Sequence, residues 1–478
     1  MSRPISSVII VVVDALKREV FYNMLADGEL PGFAEAFADG AKVRFGSTIY
    51  PTETLPAQTS LFTGLEVRRH GIVGNGWVER SAAPARVLDF TSADTAAGVF
   101  GYKLFGWPTL LLPMKNPRGL INDSLYPPAR TIYEIAAEHG LTSAVVFNQV
   151  SRGAGRWVRP NRGDMVYFAL SSKGLLDFKR IDLRTWQAAV SDIRRNGLPN
   201  IYTLYFSGLD AWCHHTGAAG QAAYLKEAVD PRVSSLVRLL EQSGARDSTR
   251  LVLCSDHGQT WLQSSNMITT GRLREALEAR GFRASLGAKL LPGRNCHVSI
   301  IGGCAQFYAL DGASGDWGAE PSLERDVLPL AEAVESVCRG DDPAVRPDSD
   351  SIILVRAAPG SGYSIYKRGS VSAPDDFFWD KLDRFPRAID NIRGLDCPRS
   401  GDVVLFSASE HGCYISDNPD SRTHGGLSSE NAGIPIVFSG PGIPRRVVEQ
   451  ASIIDIAPTV LSFFNISDSS MDGSAIKL

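Results

Sequence analysis

The unbroken apolar run at positions 7–13 (SVIIVVV), closed by Asp14, limits the folds open to this chain more than any other stretch. It is too short to cross a bilayer, and it lacks the apolar–polar alternation of a strand with one wet face. It therefore reads as a strand buried on both faces, the kind that parallel sheets are built from. Such sheets gather their ligands along the carboxyl ends of the strands, where the following loops converge. Asp14 stands at such an end.

Three further segments have the same design: 142–148 (TSAVVFN), 201–210 (IYTLYFSGLD) and 250–257 (RLVLCSDH), two of them ending in acidic or imidazole groups. A fifth run, 434–440 (IPIVFSG), follows His424. Helical patterns lie between them, for example 231–242, with Asp230 as the expected N-cap and Pro231 at the first position. The alternation predicts an α/β fold, a doubly wound and mostly parallel sheet with helices on both faces. The interior, 261–400, reads as an inserted cap subdomain that closes over a substrate and selects it. Its expected pieces are a helix at 270–280, strands near 298–308 and 352–356, a helix at 321–337 and an acidic, proline-bearing loop at 340–350. The metal-binding core is then expected at 1–260 and 401–478.

The side chains at the strand ends share one chemistry. Asp210 and His214 are four residues apart, so a helix after the strand puts both on one face, able to grip a single ion that His424 completes. Asp256 and His257 are adjacent, which suits a tight turn; with Asp14 they make a second site. Imidazole mixed with carboxylate suits zinc, and manganese or iron also accept it. Thr54 lies in 50–64 (YPTETLPAQTSLFTG), where a hydroxyl residue and an early proline mark a helix N-terminus. A hydroxyl is a poor nucleophile at neutral pH until a divalent ion lowers its pKa, and a helix N-terminus favours a bound phosphate. Two ions roughly 3.5–4 Å apart stabilise both entering and leaving oxygens. Asn75 offers an amide donor to a non-bridging phosphate oxygen. Thr52 and Thr59 compete with Thr54 for the nucleophile's role. Read singly, each aspartate is also a candidate helix cap and each histidine a candidate buried core group.

In their order along the chain, VVVDAL, PTETLPAQTSLFTG, HGIVGN, the D-x3-H of GLDAWCHH, SDHG, THGG and IIDIAPTVLSFF resemble the alkaline phosphatase superfamily. The resemblance is nearest to the nucleotide pyrophosphatase/phosphodiesterase branch and to the related phosphonoacetate hydrolases. It implies one metal on Asp210, His214 and His424, and a second on Asp14, Asp256, His257 and the Thr54 oxygen. Thr54 would be the nucleophile that becomes a phosphothreonine, with Asn75 assisting. Gln58 stands where sulfatases have arginine, and Thr54 where they have the residue oxidised to formylglycine. A sulfatase is therefore not expected. Phosphonoacetate hydrolases hold their substrate with mid-chain lysines, which makes Lys115 a candidate substrate contact. Arg152 and Arg156, in 152–162 (RGAGRWVRPNR), are further candidates because phosphorylated substrates attract such cations.

Composition narrows the partners. A net charge of -3 gives no electrostatic case for nucleic acid or membrane. Seven cysteines without a CxxC pair fit a reducing compartment, and the apolar run near the N-terminus lacks a small-residue cleavage site, so a cytoplasmic protein is expected. The functional expectation is a two-metal phosphohydrolase acting on a small phosphorylated molecule, a phosphodiester or phosphoanhydride. The alternatives are a phosphonate hydrolase or phosphomonoesterase, then a phosphomutase or a catalytically inactive binding protein on the same fold.

Overall fold

In the computed structural model the described residues are 5–90, 102–105, 110–113, 120–171, 175–216, 220–261, 264–339, 350–417 and 422–478. The Ser7–Val13 strand lies in the interior of an eight-stranded sheet, between parallel neighbours Ile201–Phe206 and Thr249–Cys254. Beyond Ile201–Phe206 come Ser143–Val146 and Arg156–Val158, both parallel to it. On the other side lie Ile436–Ser439, Ala41–Ser47 and Arg446–Ser452. Ile436–Ser439 runs antiparallel to both of its neighbours, so it alone opposes the direction of the rest.

Alternation along Ser7–Val13 explains why every position after Ser7 is apolar. Val8, Ile10 and Val12 point into one core and Ile9, Val11 and Val13 into another, on opposite faces of the sheet. Both cores are closed by helices, as a doubly wound sheet requires.

A second sheet, of seven strands, runs in the order Ala284–Leu286, Cys296–Ile301, Cys304–Ala309, Val403–Ser407, Ser351–Val355, Ser364–Lys367 and Ser370–Ser372. The expected strand near 298–308 is a tight hairpin of two, and the central strand Val403–Ser407 falls just beyond position 400. One face of this sheet, with Ile301, Cys304, Tyr308, Leu354 and Phe406, joins the core that holds Val8, Ile10 and Val12. The other face packs Phe307, Ile353 and Leu405 against the Leu328–Arg339 helix. The expected loop at 340–350 lies outside the described residues except for Asp350.

Asp230 differs from expectation. The Asp230–Gln242 helix continues directly from a π-helical turn at Leu225–Val229, so Asp230 is no N-cap there. Its carboxylate instead accepts the Gly32 and Phe33 N–H groups at 3.1 and 2.8 Å, capping the Pro31–Phe37 helix. The wider turn before Pro231 absorbs the ring and the missing N–H that an unbroken α-helix would not tolerate.

Candidate metal centre

The register of the three central strands sets the site. Val12 pairs with Cys254 and Val13 with Phe206, so the chain leaves the sheet at one level on all three. Asp14, Asp256 with His257, and the Gly208–Thr216 helix carrying Asp210 and His214 therefore meet at one edge. Asp14, Asp256 and His257 each offer a ligand atom within 4.8 Å of the others, as do Asp210, His257 and His424. His257 is common to both groups.

Thr54 is the first residue of the Thr54–Thr63 helix, which ends at Gly64 in the left-handed conformation (φ 66°) that glycine adopts without strain. Thr54 Oγ1 lies 3.2 Å from His257 Nε2. The competing hydroxyls are committed elsewhere: Thr52 Oγ1 donates to the Gly426 carbonyl at 2.9 Å and accepts from Gly425, and Thr59 Oγ1 donates to the Leu55 carbonyl at 2.7 Å. Asn75 is tied to the same helix start, because its N–H donates to Glu53 Oε2 at 3.1 Å.

Two of the imidazoles are oriented from behind. His257 Nδ1 is 3.0 Å from the Gly258 carbonyl, and His424 Nδ1 is 3.1 Å from that of Thr52. A carbonyl only accepts, so each Nδ1 carries the proton and each Nε2 turns a lone pair into the cluster. Metal-ligating histidines are held this way. The two rings stack with centroids 3.9 Å apart. His214 Nε2 lies 3.3 Å from Asp210 Oδ2, in the four-residue spacing expected of one helical face.

The electrostatics suit a cation. Burial, then the nearby charges of Asp256 and Asp210, raise the pKa of Asp14 well above the usual carboxylate range. Burial would raise Asp210 too, but His214, followed by His424 and His257, outweighs it and holds that group low. Burial and the neighbouring His257 depress His424. Asp14 Oδ1 is a buried acceptor without a hydrogen-bond donor, 3.5 Å from His257 Nε2. Three crowded carboxylates, inward-facing imidazole lone pairs and an orphaned carboxylate oxygen form a donor set that divalent ions fit.

The candidate substrate cations are placed differently. Arg156 starts the Arg156–Val158 strand, at the sheet's amino edge, and pairs with Asp192 at 3.1 Å. Arg152 pairs with Glu134 at 3.0 Å. Lys115 lies outside the described residues. Sequence reasoning missed Tyr205 and Gln259, which touch the ligand carboxylates, and Asp182, which accepts the Gly208 N–H at 3.0 Å and so caps the helix bearing Asp210. Tyr205 sits within an apolar strand and Asp182 within a distant helix, so neither has a local signal.

This architecture is shared with solved structures of a nucleotide pyrophosphatase/phosphodiesterase and of an alkaline phosphatase. The sequence profile of the Type I phosphodiesterase / nucleotide pyrophosphatase family matches residues 8–426, and the chain belongs to that family of phosphoesterases. Among solved structures it is similar to murine ectonucleotide pyrophosphatase/phosphodiesterase 5, with a TM-score of 0.62 and 14% identity over 98% of this chain and 97% of that one. The human counterpart gives the same TM-score and coverage at 15% identity. Alkaline phosphatase PafA gives a TM-score of 0.64 and 16% identity over 100% of this chain and 99% of that one. At these identities the likeness is one of fold. A search of the curated proteins gives no match.

Proposed function

We propose that this chain is a two-metal-dependent phosphohydrolase that uses Thr54 as nucleophile and cleaves a phosphodiester or phosphoanhydride. The observation that carries the reading is the position of Thr54 Oγ1: at a helix N-terminus, 3.2 Å from an imidazole shared by both ligand groups. Asp210, His214 and His424 would hold one ion, and Asp14, Asp256 and His257 the other, with zinc the ion that these donors suit best. When bound, such ions lower the pKa of the attacking hydroxyl and offset charge on the phosphoryl oxygens.

The chain supplies the rest. Thr54 Oγ1 attacks phosphorus, the P–O bond to the leaving group breaks, and a phosphothreonine remains until water cleaves it and restores the hydroxyl. Amide N–H groups at the start of the Thr54–Thr63 helix, with no carbonyl one turn earlier to bond, face an anion favourably. The Asn75 side chain would donate to a non-bridging oxygen, and the bond between its N–H and Glu53 keeps its loop beside Thr54.

Phosphonates and phosphomonoesters carry more charge than a diester and call for additional cations. Arg152 and Arg156 are paired with Glu134 and Asp192, which supports the diester reading. A structural neighbour, an inactive form of the murine phosphodiesterase 5, was solved with AMP, and a small phosphorylated molecule is the substrate class proposed for this chain. The seven cysteines are all buried, and Cys213, Cys254, Cys296, Cys304 and Cys397 are free thiols, which supports a cytoplasmic location. Among the described residues, no helix is long and apolar enough to cross a membrane.

The test is hydrolysis of bis-p-nitrophenyl phosphate, p-nitrophenyl phosphate and phosphonoacetate by chelated protein, before and after zinc or manganese is restored. Metal-dependent preference for the diester is expected. Preference for either other compound would overturn the substrate class, and no metal-dependent turnover of any would count against the hydrolase.

A further inference from the structure

Each of the three aspartates at the centre has one oxygen held by a buried, uncharged donor. The Tyr205 hydroxyl donates to Asp14 Oδ2. Gln58 Nε2 donates to Asp256 Oδ2 at 2.8 Å, and Gln259 Nε2 to Asp210 Oδ1 at 2.8 Å. Exposure is 3% for Tyr205, 0% for Gln58 and 1% for Gln259. The donors come from three places: the Ile201–Phe206 strand, the Thr54–Thr63 helix and the turn after Thr249–Cys254. Among the described residues, the imidazoles of His214, His257 and His424 approach the Asp14 and Asp210 carboxylates, and none of the three aspartates pairs with lysine or arginine.

The two glutamines show that this arrangement carries a cost. Among the described residues, Gln58 Oε1 and Gln259 Oε1 are both buried without a donor, which is unfavourable for a polar atom. Only the NH₂ end of an amide can face a carboxylate favourably, so the orphaned oxygen follows from using glutamine there. A lysine or arginine would make a stronger bond, but it would cancel one of the negative charges that attract cations. Leucine would preserve the volume and remove the side-chain donor from that oxygen, although Asp256 Oδ1 would keep the Ala15 and His257 N–H groups at 3.2 and 3.0 Å.

We propose that Tyr205, Gln58 and Gln259 are positioning residues that fix the three carboxylates in metal-ready orientations while leaving their charge uncompensated, each tuning the site whose ligand it touches. This rests on the two-metal reading above. Tyr205 and Gln58 serve the Asp14, Asp256 and His257 site, and Gln259 serves the Asp210, His214 and His424 site.

The experiment titrates chelator-stripped protein with zinc against a chromophoric chelator, for wild type, Tyr205→Phe, Gln58→Leu and Gln259→Leu, alongside the melting temperature of each stripped protein. Repeating the titrations in a His424→Ala background isolates the Asp14 site. Wild type should bind two zinc ions. Tyr205→Phe and Gln58→Leu should weaken the Asp14 site by about 10–100-fold, also in the His424→Ala background, and Gln259→Leu should weaken only the other site. Tyr205→Phe removes a single oxygen atom and carries the test if Gln58→Leu does not fold. Wild-type affinities in every variant would overturn the inference, as would loss at both sites in step with a lower melting temperature. Two zinc ions on wild type would leave the metal reading standing in either case, whereas no zinc on wild type would remove both.

Discussion

Thr54 is distinguished from its neighbours by what its hydroxyl does not do. Thr52 and Thr59 spend theirs on backbone carbonyls, while Thr54 Oγ1 faces His257. Thr54→Ala should therefore lower turnover by roughly four orders of magnitude or more, the scale on which nucleophile deletions act. Zinc titration should still find the Asp210, His214 and His424 site; full activity in the variant would show that another group attacks. A second residue-scale prediction concerns acid. His297 is buried against Ser285 Oγ at 2.9 Å, and burial lowers its pKa to about 4. A depressed folded value means that its contribution is present above about pH 6.5 and is lost as pH falls towards 4, by roughly 3 kcal/mol in all. Denaturation of stripped protein between pH 7 and 4.5 should show a shallower acid decline in His297→Asn; identical slopes would refute the assignment. The candidate ligands at this scale were legible because strand-end aspartates and histidines have no apolar role to hide behind. Tyr205 was not, since a tyrosine in an apolar strand looks like core until its hydroxyl is seen against Asp14.

Among the elements, the Gly208–Thr216 helix matters most, because it carries two candidate ligands and its own start is secured from elsewhere. Asp182, on the Lys179–Asn196 helix, accepts from the Gly208 N–H at 3.0 Å and the Tyr224 hydroxyl at 2.9 Å. Asp182→Ala would leave the buried Gly208 N–H unpaired, at about 1–3 kcal/mol, while the Tyr224 hydroxyl keeps the Phe178 carbonyl at 3.1 Å. The expected outcome is a loss of about 1–3 kcal/mol in urea unfolding together with weaker zinc binding at the Asp210 site. Lost stability with unchanged affinity would show that the cap does not reach the ligands. The strands were readable from their apolar runs, and the helix after Phe206 from the four-residue spacing of Asp210 and His214. Capping across elements was not: Asp230 looks like the N-cap of its own helix and serves the Pro31–Phe37 helix instead. Nothing local in a sequence records which distant N–H a carboxylate will meet.

For the whole molecule, ligands drawn from Asp14 to His424 mean that bound metal would tie the first strand to the last quarter of the chain. Ions that bind only the folded state stabilise it by mass action, about 2.7 kcal/mol for a site held at a hundredfold excess over its Kd. Zinc restored to stripped protein should raise the unfolding midpoint accordingly, and Asp14→Asn should blunt the gain. An unchanged midpoint on metal addition would count against a folded-state site. The second sheet was legible only in pieces, since the two halves of its Cys296–Ile301 and Cys304–Ala309 hairpin run together in the sequence and its fusion with the main core depends on pairing across long separations.

The interior position of Ser7–Val13 has a consequence for biosynthesis. This strand leaves the ribosome well before its partners, the nearer of which begins at Ile201 and the other at Thr249. At about 5–20 residues per second, some 10–40 seconds pass before the earlier of them emerges. Throughout that interval the most apolar segment of the chain has both of its edges open. A nascent chain of this design needs a holding chaperone early, and arrest of translation before residue 206 should yield a product that aggregates unless one is supplied.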